Sequence, residues 1–176
     1  RLPLGDFHVS AELIQAALPP EAPAILAAPE DHGPLLHAFF EVQAENHLRV
    51  LVLDRGRYQQ VLNVLVTEER TPNNLPRFVI RSRQEDNRVV ASAHVNWQTP
   101  EFADIAVFTE ADRRRQGWGR SVVTALARHL LDSGRTPLYA VSENNRPSLQ
   151  LAESCGFVDL GIRRLLLEAA RRAAFD

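Results

Sequence analysis

Cysteine is nearly absent from this sequence. The 176 residues include one cysteine, Cys155, which excludes an internal disulfide framework and a multi-cysteine metal site. The six histidines show no metal-ligand spacing. We therefore expect no metal, and a cytoplasmic location suits a chain with so little cysteine.

The sequence also lacks long apolar runs and a surplus of either charge. No run approaches the roughly 20 residues that span a bilayer, and no charged-then-apolar leader opens the chain. Its 20 basic and 22 acidic residues give a net charge of −2, so we expect neither nucleic acid nor a membrane as partner. Because the first residue is Arg1, not methionine, we expect the sequence to be trimmed or part of a longer product.

The length and the breaker residues bound the domain organisation. A chain of 176 residues fits one domain, at most with a small appendage. The cluster Thr71-Pro72-Asn73-Asn74-Leu75-Pro76 interrupts any regular element. We therefore predict an N-terminal α/β region over residues 1–75 and a second region over residues 76–176.

Hydrophobic periodicity predicts the elements of the first region. They are a helix over Ser10–Leu18 capped by Ser10, a strand over Ala24–Ala28, a helix over Pro34–Asn46, a strand over Leu48–Leu53 and a helix over Tyr58–Glu69.

The second region begins with strands. We predict a hairpin of Phe78–Arg83 and Val89–Trp97, a central strand Ala103–Thr109, a helix from about Gly117 to Asp132 ended by Gly134, a strand Pro137–Val141, a helix Pro147–Ser154 and a strand Phe157–Ile162. For the tail Arg164–Phe175 we predict a helix over Leu167–Ala174, with a strand followed by a frayed end as the alternative.

The turn between the central strand and the following helix carries the clearest chemical signal. Gly117 and Gly119 lie in the first turn of a helix, where free N–H groups and the helix dipole favour an anion such as a diphosphate. Nearby positive charge comes from Arg113, Arg114, Arg115 and Arg120. Two plainer interpretations stay open, because paired glycines can serve tight packing and an arginine run can be a solvated face.

Other glycine-rich nucleotide sites are disfavoured. No Gly-Lys-Ser/Thr ending of a Walker loop is present, and Val122 occupies the third glycine position of the dinucleotide pattern. Nucleotide hydrolysis and hydride transfer are therefore not expected.

Two blocks of the sequence resemble the GNAT superfamily of N-acetyltransferases. Arg114-Arg115-Gln116-Gly117-Trp118-Gly119 matches its Arg/Gln-x-x-Gly-x-Gly/Ala motif, and Asn145 with Ser148 matches its Asn-x-x-Ser/Ala motif, before a helix that ends in Gly156-Phe157. The resemblance covers about residues 78–162. It implies an α/β (α+β) fold with a mixed, mostly antiparallel sheet, a V-shaped splay between two parallel strands, and helices on both faces. The first 70 or so residues match the family poorly. Their extra strand Leu48–Leu53 resembles the branch with glycine-N-acyltransferase-like members, in which the N-terminal half is a degenerate second copy.

The resemblance also implies the ligand and its contacts. Acetyl-CoA, or another acyl-CoA, would serve as cosubstrate. Its pantetheine arm would pair with the backbone of Val107, Phe108 and Thr109. Its diphosphate would bind near Arg114, Arg115, Gln116, Gly117, Trp118, Gly119 and Arg120. Asn145 and Ser148 would contact it from across the cleft.

The catalytic groups are less clear from the sequence. The family's usual proton donor is a tyrosine at the position of Ala152, so Tyr139 is the candidate replacement, against a role as a core residue. Asp104 is the candidate base, against a role in the sheet. Glu101 and His94 are further candidates, His94 against a role in lining a face of the sheet. Cys155 is expected to be a small packed residue.

Three functional hypotheses follow. The first is transfer of an acetyl or short acyl group to a primary amine, on a small molecule or a protein, by a monomer or homodimer. The second is a non-catalytic acyl-CoA-binding or regulatory module, favoured by the missing tyrosine. The third is an unrelated α/β interaction domain whose arginine turn meets an acidic partner or nucleic acid.

Overall fold

A computed structural model describes residues 6–61 and 63–173, without the side chain of Phe7. Eight strands form a mostly antiparallel sheet, and four α-helices accompany it among the described residues. The elements are α1 (Phe7–Ala17), β1 (Pro23–Pro29), α2 (Gly33–Phe39), β2 (Phe40–Leu53), β3 (Thr67–Arg70), β4 (Pro76–Arg81), β5 (Val89–Gln98), β6 (Phe102–Thr109), α3 (Trp118–Asp132), β7 (Thr136–Ser142), α4 (Arg146–Ser154) and β8 (Phe157–Arg171). The predicted α/β fold class is confirmed, with β6 and β7 as a parallel pair.

The chain forms two compact units. One comprises residues 1–48 and 163–176, and the other comprises residues 49–162, so that β2 and β8 contribute to both. The breaker cluster lies in the second unit, where Thr71 and Asn74 shape the turn between β3 and β4. The predicted division of the chain at residue 75 stays a prediction.

The smaller unit has its own apolar core. β1 pairs antiparallel with the end of β8, from Pro23 opposite Ala170 to Pro29 opposite Arg164. The buried residues of this core are Ile14, Leu36, Phe39, Phe40, Leu165, Leu167 and Ala169.

The larger unit holds the predicted central strand and the long helix. Its strand order is β8-β2-β7-β6-β5-β4-β3, counting the parts of β8 and β2 that belong to it. α3 packs against β4, β5, β6 and β7, and its apolar side chains Val122, Val123 and Leu126 are fully buried. The predicted hairpin is confirmed, since β4 and β5 pair antiparallel. The predicted left-handed Gly134 after α3 is confirmed at φ +79°.

The N-terminal helix begins earlier than predicted. Ser10 is not its cap: α1 starts at Phe7, and the carboxylate of Asp6 accepts the N–H of Val9 at 3.1 Å. Ser10 is fully buried inside the helix. Asp and Ser are equally good N-caps, so the local sequence could not decide between them.

The predicted helix over Pro34–Asn46 is too long. α2 ends at Phe39 and the chain continues as β2, of which the predicted strand Leu48–Leu53 is only the last part. Over Phe40–Gln43, inward-facing apolar residues alternate with exposed polar ones, and residues 44–47 are all exposed. Alternation is the period of a strand, and it overrides the helical spacing of the preceding residues.

The predicted helix over Tyr58–Glu69 is wrong. The described part of this stretch is non-helical and runs into β3. Val64 and Val66 pack against the core, whereas Leu65 between them is 72% exposed. Leu62, which belongs to the predicted helix, lies outside the described residues.

The predicted C-terminal helix over Leu167–Ala174 is also wrong. β8 continues from Phe157 to Arg171, because Leu165, Leu167 and Ala169 alternate inward and β1 supplies a pairing edge. Ala174 lies outside the described residues.

Candidate functional site

The parallel strands β6 and β7 part after three residue pairs. Phe102 pairs with Thr136, and the last pair is Asp104 with Leu138. Both strands continue beyond that point, and β6 stays paired with β5 as far as Thr109. In the described chain, the edge of β6 that faces β7 therefore has no ladder partner over residues 105–109. A strand edge of this kind can pair with an extended ligand.

Asp104 lies at the apex where the strands part. It is 4% exposed, and its Oδ1 accepts the backbone N–H of Ala140 at 3.2 Å. Its Oδ2 accepts a hydrogen bond from Nδ2 of Asn96 at 3.3 Å. The carboxylate thus takes the place of a main-chain acceptor for β7 just beyond the last pair.

Asn96 reaches Asp104 because β5 is bulged. Val95 pairs with Ile105 and Trp97 pairs with Asp104, so Asn96 is an extra residue on β5. A bulge of this kind locally bends and twists the strand, and here it directs the carboxamide of Asn96 at the apex. The role of Asn96 could not be predicted, because a one-residue register shift leaves no clear signal in the sequence.

The turn that follows β6 is tied to the β4–β5 hairpin by ion pairs. Nη2 of Arg113 lies 2.7 Å from Oε1 of Glu85, and Nη2 of Arg88 lies 3.0 Å from Oε2 of Glu110. The hydrogen bond from Arg88, with a smaller contribution from Arg113, lowers the pKa of Glu85. Arg113 is therefore engaged in holding the turn.

Arg114 and Arg115 remain exposed in this turn. Arg114 donates through Nε to the carbonyl of Thr109 at 3.3 Å, at the end of β6. Arg115 adopts a left-handed backbone with φ +62°, and no partner is found for its side chain in the described part of the chain. Gln116 donates weakly to the carbonyl of Asp112, at 3.5 Å.

The two glycines of the motif occupy tight positions. Gly117 is the N-cap of α3 at φ +79°, and a Cβ there would lie 2.7 Å from Nδ2 of Asn63. A Cβ on Gly119 would lie 3.2 Å from both Leu151 and Thr109. The positive φ of Gly117 favours glycine there, and a Cβ at either position would require neighbouring side chains to shift, which agrees with the plainer packing interpretation that the sequence left open.

The first turn of α3 has free backbone donors. No side chain of the described residues caps α3, whereas Asp6 caps α1 and Asn145 caps α4. The first intrahelical bond runs from Ser121 N–H to the carbonyl of Gly117 at 3.1 Å. The N–H groups of Trp118, Gly119 and Arg120 precede it and therefore lack a helical acceptor. Such donors at the positive end of a helix dipole favour an anion.

The side chain of Arg120 lies near Cys155. Burial raises the pKa of the Cys155 thiol to about 11, and the charge of Arg120 partly opposes this rise. Cys155 is 1% exposed, so it is a protonated core thiol, in agreement with its predicted packing role.

Asn145, Ser148 and Tyr139 form a connected group at the start of α4. Oδ1 of Asn145 accepts the N–H of Ser148 at 3.2 Å, which caps the helix. The hydroxyl of Ser148 lies 2.8 Å from that of Tyr139. Tyr139 is 2% exposed and packs edge-to-face on Phe157, and burial raises its pKa to about 12.

Ala152 lies on the same side of α4 as Ser148, because the two are four residues apart in the helix. It is fully buried. The Tyr139 hydroxyl therefore meets the face of α4 on which the family's tyrosine would have stood.

His94 and Asp104 face the same side of the sheet. Their neighbours Ala93, Val95, Ala103 and Ile105 are buried in the core that includes α3, so alternation places His94 and Asp104 on the opposite face. His94 pairs with Ala106, two residues beyond the apex. Burial, and then the charge of Arg77, lowers the pKa of His94. Glu101 is exposed and accepts a hydrogen bond from Thr99 at 3.2 Å.

Within the described residues, no three His, Cys, Asp or Glu side chains are arranged to hold a metal ion. Nor does that part of the chain contain a helix with the length and apolar character needed to cross a membrane.

Comparison with known proteins gives a family model that matches part of the chain, and a fold. A family model described as FR47-like protein matches residues 87–164. No curated protein sequence matches the chain.

Three solved structures illustrate the fold. A GNAT-family acetyltransferase from Colwellia psychrerythraea is 13% identical, with a TM-score of 0.60, over 84% of this chain and 65% of that chain. A protein from Novosphingobium aromaticivorans, described under the GNAT family of acetyltransferases, is 17% identical, with a TM-score of 0.69, over 94% of this chain and 81% of that chain. A tandem GNAT protein from the clavulanic acid biosynthesis pathway is 13% identical, with a TM-score of 0.61, over 97% of this chain and 69% of that chain.

The chain spans less than two thirds of the length of the Colwellia protein. At these identities the likeness concerns the fold, and the FR47-like match covers the strands and helices that build the site. The chain therefore has an FR47-like region over residues 87–164, and its fold is that of the GNAT acetyltransferases among these structures.

Proposed function

We propose that this chain binds acetyl-CoA, or another acyl-CoA, and transfers the acyl group to a primary amine. One observation carries the proposal: the parallel pairing of β6 and β7 ends at Asp104 and Leu138, although both strands continue beyond these residues. The free edge of β6 leads, through one turn, to the uncapped start of α3. An elongated ligand with a thioester at one end and a diphosphate at the other fits this combination.

The diphosphate is assigned to the turn and the first residues of α3. The N–H groups from Arg114 to Arg120, including those of Gln116, Gly117, Trp118 and Gly119, would donate to its oxygens. Two features support the assignment: no described side chain competes for the first N–H groups of α3, and Arg114 and Arg115 are exposed cations in the same turn. Charge-assisted hydrogen bonds to phosphate are among the stronger ones in proteins.

The pantetheine arm is assigned to the free edge of β6. The backbone of Val107, Phe108 and Thr109 pairs with β5 on one side only, which leaves alternate peptide groups for the ligand. Asn145 and Ser148 would contact the ligand from α4. The Nδ2 group of Asn145 supports this role, because capping of α4 uses only its Oδ1.

Transfer requires a neutral amine. Its nitrogen attacks the thioester carbon, a C–N bond forms as the C–S bond breaks, and the amine gives one proton to a base. His94 is the base we favour, because its lowered pKa keeps it neutral at pH 7 and it lies on the face of the sheet that carries the apex. A free N–H on the β6 edge would donate to the oxyanion.

Asp104 is better suited to hold the strands than to take the proton. Both of its carboxylate oxygens already accept hydrogen bonds, from Ala140 and Asn96. The carboxylate is thus already engaged in holding Ala140 and Asn96, which is a structural role.

The departing thiolate needs a proton, and Tyr139 with Ser148 could supply it. The two hydroxyls are 2.8 Å apart, and the raised pKa keeps the phenol protonated. Ser148 is only partly buried, so it can pass a proton from the buried phenol to a ligand at the start of α4.

A second function is favoured by one observation. Ala152 stands where the family's proton-donating tyrosine is expected, and it is fully buried. A module that binds acyl-CoA without turnover would not need the donor. Tight binding with no thiol release would support this alternative.

Binding and turnover can be tested in sequence. A thermal-shift experiment with acetyl-CoA and longer acyl-CoAs comes first, and ligand at a hundred times its Kd should add about 2.7 kcal/mol to the free energy of unfolding. Thiol release from the best ligand is then followed with panels of small amines and peptides. The 176 residues contain no lysine, so the chain itself offers no ε-amine as acceptor. Absence of both binding and turnover would reject the proposal.

A further inference from the structure

The stretch between β2 and β3 packs along α3. The hydroxyl of Tyr58 donates to the carbonyl of Thr124 at 2.9 Å. The Thr124 hydroxyl oxygen lies 3.3 Å from the N–H of Val61 and 3.1 Å from its carbonyl. Thr124 and Ser121 are fully buried as a result. The stretch therefore has a fixed position on α3.

Asn63 extends this contact to the first turn of α3. Its Oδ1 accepts the hydroxyl of Ser121 at 2.5 Å, and its Nδ2 lies 3.4 Å from the carbonyl of Gln116. The same Nδ2 fills the space beside Gly117, where a Cβ would lie 2.7 Å away. The carboxamide thus braces the peptide that joins Gln116 to the left-handed Gly117.

Asn63 also has an unused donor. An asparagine amide has two hydrogens, and one faces the Gln116 carbonyl. The residue is exposed, although its carboxamide is held between Ser121 and Gln116. An exposed amide that is fixed in this way loses little freedom when it binds a ligand.

We propose that Asn63 belongs to the diphosphate site, where it holds the Gln116–Gly117 turn and donates its second Nδ2 hydrogen to a phosphate oxygen. This inference rests on the proposed function. It assigns a ligand contact to a residue outside both sequence motifs, contributed by a stretch that precedes β3. The site is then made from two parts of the chain, α3 and the residues around Asn63.

The test replaces the donor by an acceptor of the same shape. Asn63→Asp keeps an oxygen for Ser121 but sets a negative charge beside the phosphates. We expect the Kd for CoA, measured by calorimetry, to rise about tenfold or more, because like charges repel and a donor is lost. Asn63→Ala should raise the Kd less. The matched control is Asn73→Asp, which adds the same charge at an exposed asparagine in the turn between β3 and β4.

A second ligand separates a phosphate contact from general loosening of the fold. Pantetheine has no diphosphate and cannot contact Asn63 through one. Its inhibition constant, measured by competition with acetyl-CoA, should therefore be equal in the wild type and in Asn63→Asp. Equal loss for CoA and pantetheine would overturn the inference, as would wild-type CoA affinity in Asn63→Asp. Failure of the wild-type protein to bind CoA would instead reject the proposed function, and this inference with it.

Should Asn63→Asp fail to fold, Ser121→Ala allows the same comparison of CoA with pantetheine without adding a charge. It removes the hydroxyl that anchors Oδ1 of Asn63. A several-fold rise in the Kd for CoA, with no change for pantetheine, is expected. An unchanged Kd for CoA would overturn the inference.

Discussion

The carboxylate of Asp104 accepts the backbone N–H of Ala140 at 3.2 Å, two residues beyond the last parallel pair of β6 and β7. A buried N–H that loses its ladder partner needs another acceptor. Asp104 supplies one from its own side chain, and this allows the two strands to part without leaving that donor unsatisfied. The polar residue that interrupts an apolar strand thus has a structural reason.

Replacement of Asp104 should therefore affect stability before activity. Asp104→Ala leaves the partly buried Ala140 N–H without this acceptor, and we expect a loss of about 1–3 kcal/mol, whereas the amide of the exposed Asn96 can turn to water. Asp104→Asn keeps one oxygen for Ala140 and should lose less. Urea unfolding followed by circular dichroism measures both. Equal stability of the two variants would contradict this role.

Gly117→Ala should reduce both stability and CoA binding. An alanine at φ +79° costs about 1–2 kcal/mol, and its Cβ would also displace Asn63. The matched control is Gly134→Ala, which has the same φ of +79° and no atom within 4 Å of the added Cβ. Thermal shifts with CoA should vanish for Gly117→Ala and persist for Gly134→Ala. Full retention of the shift in Gly117→Ala would show that the diphosphate binds elsewhere.

Tyr139→Phe should lower kcat with little change in the KM for acetyl-CoA. Loss of a proton donor slows acyl transfer by about 100-fold or more where that donor is used. The chain's other tyrosine gives the control, because Tyr58→Phe also removes one partly buried hydrogen bond, from the Tyr58 hydroxyl to the carbonyl of Thr124. Each variant should lose about 1 kcal/mol of stability. If both variants keep the wild-type kcat in the thiol-release assay, Tyr139 is a core residue only.

His94 should make the protein less stable in acid. Burial and Arg77 lower its folded pKa below 6.5, the ordinary value that applies in the unfolded chain. The unfolded state then binds the proton more readily. The contribution to stability is complete above pH 6.5 and is lost as the pH falls below it, towards the folded pKa. His94→Gln should reduce the difference in Tm between pH 8 and pH 5.5, and an unchanged difference would argue against this assignment.

Much of the larger unit could be predicted from the sequence because its signals are local. α3 has a regular apolar stripe and a glycine stop, and the β4–β5 hairpin has a polar turn between two apolar runs. The position of the paired glycines at the start of α3 followed from the same local pattern.

The errors lie where pairing with distant strands decides the structure. β2 and the end of β8 contain apolar residues at spacings that suit a short helix as well as a strand, and partners from elsewhere in the chain select the strand. The apolar residues near Asn63 have the spacing of a helix. Hydrogen bonds between the backbone of Val61 and the hydroxyl of Thr124 hold this stretch in a non-helical conformation. The contact of Asn63 with Gly117 could not be predicted, because no local pattern in the sequence around Asn63 indicates that this stretch packs against α3.

The strand order of the larger unit has a consequence for folding. Residues 49–53 of β2 separate β7 from the start of β8, so the two last strands of this unit meet through a strand made early in the chain. Such long-range pairing slows folding, because a large loop must close before the contacts form. During synthesis, both edges of residues 49–53 stay unpaired until β7 and β8 have left the ribosome. A protein truncated to residues 76–176 would lack the strand between them and would expose two unpaired edges prone to aggregation.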